Sequence, residues 1–135
     1  MLTVGAVVLA LVLGAGVQAG EVEDVAVEAA KEWLAIVDAG DYAGSWTEAA
    51  EHFRKAVTQK QWVKAVHAAR QPLGELVSRE LESAQFTSTL AGAPDGEYVV
   101  IRFTAEFENK ASAVETVTPM KDPDGTWRVS GYFIN

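Results

Sequence analysis

The chain holds 135 residues, with 11 lysines and arginines against 19 aspartates and glutamates for a net charge of −8, and it has no cysteine. That balance argues against nucleic acid and against an extended anionic lipid surface as partners, because both require a clustered cationic face. Zero cysteines exclude disulfides, thiolate metal sites and thiol nucleophiles, so stability has to come from packing.

The first charged side chain is Glu21, and what precedes it is a run of Val, Leu, Ala and Gly. Its middle, Val4 to Leu13, has the length of a leader's apolar region, and Val17-Gln18-Ala19 is a small-residue cleavage pattern. This predicts a secretory signal peptide over residues 1–19, cut after Ala19, and export to a periplasmic or secreted location. The alternative is an uncleaved anchor, since about 19 apolar residues at about 1.5 Å each approach the thickness of a hydrocarbon core. In that reading the chain meets a membrane only through this segment. Residues 20–135, about 116 in number, have the size of one domain with a single core.

Apolar residues Val22, Val25, Ala29, Trp33, Ile36 and Val37 recur at three- and four-residue steps, which predicts a helix over 22–39 stopped by Gly40. Asp41 is placed to cap a short helix from Ala43 to Ala50 whose pattern runs on to Val57. Thr58-Gln59-Lys60-Gln61 has the form of a capping box and starts a third helix, with Trp62, Val66 and Ala69 as its buried stripe and Pro72 and Gly74 at its end. The period then changes to two. Strands are expected over 75–90, 97–110, 113–120 and 126–134, with Pro94-Asp95-Gly96 and Asp122-Pro123-Asp124-Gly125 as turns. In the second strand Val99, Ile101, Phe103, Ala105 and Phe107 face one way. Helices first and strands last predict an α+β fold, the N-terminal helices packed on a curved, cone-like C-terminal antiparallel sheet of about four strands.

Tyr42-Ala43-Gly44-Ser45-Trp46, Gln61-Trp62, Arg70-Gln71-Pro72-Leu73-Gly74, Ser78-Arg79, Asp95-Gly96-Glu97-Tyr98, Glu115-Thr116-Val117 and Trp127-Arg128-Val129-Ser130-Gly131-Tyr132 occur in this order. Together they resemble the bacterial domain-of-unknown-function family 4019, from about Ala30 to Ile134. The resemblance implies a small exported protein with no assigned activity. The order of elements is also similar to the nuclear transport factor 2-like superfamily, whose cone-shaped fold wraps a sheet round a helix and hosts both enzymes and binding modules. Fold alone therefore does not select a function.

The candidate pocket residues are Trp46, Arg70, Arg79, Tyr132, Glu106 and Glu115. Arg70, Arg79 and Arg102 offer guanidinium forks for a carboxylate or phosphate ligand, or else pair internally with Glu97, Glu106 or Glu115. Glu106 and Glu115 are the carboxylates that a strand would project into a cavity as general bases, with Tyr98 or Tyr132 as hydrogen-bond donors. Trp33 and Trp62 read as core, whereas Trp46 and Tyr132 divide between core and pocket lining. His52 and His67 have neither the spacing nor the company of metal ligands, and no phosphate loop, dinucleotide fingerprint or nucleophile elbow is present. No catalytic residue, cofactor or metal is therefore assigned. The leading expectation is an exported binding module for a small ligand or an envelope protein partner. A pocket enzyme of isomerase, lyase or hydrolase type and a structural homodimer are the alternatives.

Overall fold

Residues 19–135 are described by the structure, a computed structural model. The expected leader, as far as Gln18, lies outside the described residues, and Ala19, the expected cleavage position, already begins the first helix. No helix among the described residues is long and apolar enough to cross a membrane.

Helix α1 spans Ala19–Asp38, α2 Tyr42–Thr47, α3 Glu51–Ala56 and α4 Gln59–Arg70, followed by a 3-10 turn at Gln71–Leu73. Strands β1 (Leu76–Thr87), β2 (Tyr98–Phe107), β3 (Lys110–Lys121) and β4 (Trp127–Ile134) form one antiparallel sheet in the order β1-β2-β3-β4. The fold is α+β, with an open sheet.

Local chemistry accounts for the helix ends. Gly40 adopts φ +80°, and the amides of Gly40 and Asp41 donate back to Val37 and Ile36, which is the Schellman closure that a glycine permits. Asp41 accepts from the amide of Gly44 and starts α2. The expected single helix from Ala43 to Val57 is instead two short ones, because the amide of Ala50 is taken by the carbonyl of Val129 in β4 and the chain bends to reach it. Thr58 and Gln61 exchange both hydrogen bonds of a capping box. Thr58→Ala is expected to lower stability by about 1 kcal/mol, read as a shifted urea midpoint with unchanged slope.

Four register irregularities bend the sheet: between Leu76 and Ser78, between Leu81 and Ser83, between Ala105 and Phe107, and between Thr118 and Pro119. The last accommodates Pro119, which has no amide to give to a central strand. Gly125 takes φ +84° in the tight turn between β3 and β4.

The core lies between α1, α4 and the inner face of the sheet. Ala26, Ala30, Trp33, Leu34 and Val37 of α1 meet Val99, Ile101, Phe103, Val117 and Val129, with Phe53, Trp62 and Val66 closing the side. Trp33 and Trp62 are buried, and both donate their indole N–H to Ser45, one to its carbonyl and one to its hydroxyl, each at 2.8 Å. Two faces differ from expectation. Ala69 is exposed, so the buried stripe of α4 is Trp62, Val66 and Arg70. On α1 the strict core stripe is rotated from the expected one, leaving Val25 52% exposed. The first strand also ends at Thr87, short of Leu90. Leu90 and Ala93 fold back to cover Tyr98, whose hydroxyl donates to the carbonyl of Pro94 at 2.6 Å.

Candidate functional site

Four of the six candidate residues meet at the end of the core where α1 and α4 finish. Arg79 stands on the inner face of β1, Glu115 on β3 and Tyr132 on β4, and the buried last residue of α4, Arg70, reaches over them. The fifth member is Asp38, at the last position of α1. Arg79 donates to Glu115 from Nε (2.6 Å) and Nη2 (3.1 Å) and to Asp38 from Nη1 (2.8 Å) and Nη2 (3.0 Å). Arg70 donates to Asp38 at 2.8 Å and to the Tyr132 oxygen at 3.4 Å, and the Tyr132 hydroxyl donates to Glu115. The Arg70 guanidinium also lies 4.9 Å from the centre of the Phe107 ring.

Two guanidinium and two carboxylate groups make the cluster neutral, and it is largely dry. Glu115 is fully buried, the Arg70 and Arg79 side chains are 5% and 12% exposed, and Asp38 retains 21%. Burial pushes the Asp38 carboxyl up, but the hydrogen bonds from Arg79 and then Arg70 outweigh it and hold the group below its ordinary 3.8. Burial and the neighbouring Glu115 push the Tyr132 phenol far above its ordinary value, so it stays a donor. A carboxyl with a depressed folded-state pKa adds stability above its unfolded value and loses it on acidification through the folded one. Asp38→Asn is therefore expected to be less stable than the native chain at pH 7, with the gap closing below about pH 4. Urea midpoints measured from pH 7 to pH 2 check this.

Chemically the arrangement is a latch. Glu115 already accepts three hydrogen bonds inside the protein, and Arg79 uses its fork on both carboxylates, so neither presents a free edge to a substrate. Only Asp38 and Arg70 reach an open cleft, of about 250 Å³, rimmed by Tyr42, Gln71, Glu75 and Glu108. Of the anticipated internal partners, Glu115 pairs with an arginine. Glu97 instead lies 3.8 Å from Lys121, and Arg102, exposed on the outer face, forms no ion pair among the described residues.

Two candidates stand apart. Glu106 is exposed on the outer face of β2, beside Glu80 and Thr104, and so is separated from Glu115 by the sheet itself. Trp46 is half-buried in α2, where its indole N–H donates to the carbonyl of Val57 at 2.9 Å and ties the first short helix to the start of α4. Tyr98 is likewise occupied by Pro94. Among the described residues no group of three or more acidic or histidine side chains is placed to hold a metal ion.

A second feature, not anticipated, is a groove between α1 and the hairpin joining β3 to β4. Its inner lobe, about 210 Å³, is bounded by Glu32, Trp33, Ile36, Glu48 and Trp127. It runs into a shallower outer lobe of about 520 Å³ along Asp24, Val25, Glu28 and Gly125, with Ala29, Glu32, Thr126 and Trp127 common to both. Trp33, Trp46 and Trp62 each donate to a protein acceptor; the indole of Trp127 makes no such bond among the described residues. Arg128, at the groove's edge, is engaged by Asp122 at 2.9 Å and by both oxygens of Asp124, whose carboxyl those bonds and the Thr126 amide hold at about 2. The signal available in the sequence was Val25 followed by Ala29 and Ile36, a second apolar line on α1 flanked by acids.

The family model described as protein of unknown function (DUF4019) matches residues 29–132, a stretch that contains all five members of the latch. The chain belongs to that family. No curated protein and no solved structure matches it.

Proposed function

We propose, with membership of that family as the premise, that this chain is an exported module that binds a partner without transforming it, and that the partner docks in the groove between α1 and the β3–β4 hairpin. The observation that carries the reading is a division of labour between the two polar regions. In the Arg70–Asp38–Arg79–Glu115–Tyr132 cluster both carboxylates are held by guanidinium donors in a largely buried setting and, among the described residues, the one buried polar atom of the cluster without a partner is Arg70 Nε, whereas the groove leaves an indole N–H, an exposed valine and the carboxylates of Asp24 and Glu32 without internal partners. Grooves with an apolar floor and a few fixed polar groups are the usual form of a binding site. The leader over residues 1–19 supports export, and the helix-first, sheet-last order supports placement in the nuclear transport factor 2-like superfamily.

A thermal-shift screen of metabolites and envelope fragments on the native chain and on Trp127→Ala tests the reading. A ligand that raises the melting temperature of the native chain and not of the variant is the expected result. If every stabilising ligand acts equally on both, or if a library compound is turned over with Trp127 removed, the groove is not the site. Export is checked separately, by the mass of the chain recovered from cell fractions, expected to begin at Gly20.

A further inference from the structure

Resting on the groove as the binding site, we infer that its occupant is an extended peptide segment carrying lysine or arginine at alternate positions. The argument starts from the wall that α1 contributes. Asp24, Glu28 and Glu32 all border the outer lobe, and each follows the last by four residues. At about 1.5 Å per residue their carboxylates repeat every 6 Å or so along the helix. Same-side residues of an extended chain repeat at about 6.6 Å, twice the rise per residue of a strand. Three successive basic side chains of an extended segment therefore meet three successive carboxylates, and the intervening side chains point to the opposite wall, where Trp127 and Thr126 stand.

Charge and polarity agree with this occupant. Among the described residues the one cation bordering the inner lobe, Arg128, is held by Asp122 and Asp124. Lys31 approaches Glu28 only to 4.0 Å, between largely exposed side chains, and such a pair yields readily to a better partner. The Trp127 face offers an apolar surface for the intervening side chains and its N–H a donor for a peptide carbonyl, while Val25 and Ala29 give the floor an apolar strip that a purely ionic ligand would leave unused. The net charge of −8 draws cationic segments toward the surface before they dock.

The probe is a capped Lys-Val-Lys-Val-Lys peptide, titrated into the full chain and followed by tryptophan fluorescence and calorimetry, with Glu-Val-Glu-Val-Glu and spermidine as parallel arms. Glu28→Gln with Glu32→Gln changes two exposed side chains and is expected to leave the melting temperature unchanged while weakening the lysine peptide about tenfold. Raising salt from 20 to 200 mM is expected to weaken it by a similar factor. The glutamate peptide is expected not to bind. Binding that is indifferent to the double variant overturns the inference, as does spermidine binding as tightly as the peptide, which would make the occupant a small polyamine. If the lysine peptide fails while another ligand still requires Trp127, the peptide assignment falls and the groove stands. If no ligand requires Trp127, both fall.

Discussion

Arg79→Ala is expected to lower the free energy of unfolding at neutral pH by about 3–5 kcal/mol, the range found when one member of a buried ion pair is deleted. The expectation follows from what the side chain leaves behind. Glu115 has no exposure and depends on Arg79 for two of its three hydrogen bonds, and Asp38 depends on it for two more. Burial by itself lowers the pKa of Arg79, yet its bonds to Asp38 and Glu115 raise it well past the ordinary value, so the native state is built around the charged form. Arg79→Lys is expected to fall between, because an ammonium is a point donor and does not span two carboxylates as a planar fork does. Adding Glu115→Gln to Arg79→Ala is expected to recover part of the loss, since the amide still accepts from Tyr132 without stranding a charge. Urea unfolding of the native chain, Arg79→Ala, Glu115→Gln and the double variant measures this cycle, with Arg79→Lys run beside them. A loss under about 1 kcal/mol for Arg79→Ala would place the cluster with solvent-screened surface pairs and remove the distinction between latch and groove.

The same cluster shows which parts of the molecule could be read from the sequence. Thr58 and Gln61, Asp41, the alternation of β2 and the turn at Asp122–Gly125 were legible because each feature is determined by residues within a few positions of one another. Arg70, Arg79, Glu115 and Tyr132 were legible as residue types needing partners, but their convergence depends on strand register, which spacing does not carry. Asp38 left one local trace. A carboxylate in the last turn of a helix faces the negative end of the dipole, and such a misfit implies a cation supplied from elsewhere in the fold. Alternation likewise gives the side of a sheet and not what covers it. Leu81 and Phe86 pair with the inner-facing Phe103 and Val99, yet are 49% and 40% exposed, while Ala84 between them packs against the core.

Trp33→Ala is the second large effect expected, again about 3–5 kcal/mol, as for removal of a buried large aromatic ring. Three contacts end with the ring. It meets Tyr132 edge-on at 5.4 Å, lies 6.0 Å from Trp62, and donates its N–H to the carbonyl of Ser45 at 2.8 Å. Trp33→Phe keeps most of the apolar area but leaves that buried carbonyl unmatched, so a loss of about 1–3 kcal/mol is expected. The position also joins the two polar regions: one side of Trp33 backs the inner lobe of the groove, and the other supports the ring that carries the Tyr132 hydroxyl to Glu115. Trp33→Phe and Tyr132→Phe are therefore expected to be non-additive, with a coupling of about 0.5–1.5 kcal/mol in a double-mutant cycle. Strict additivity in urea unfolding would mean that the latch and the groove wall are energetically independent, and that a ligand seated against Trp127 has no path through this side chain to the carboxylates of the latch.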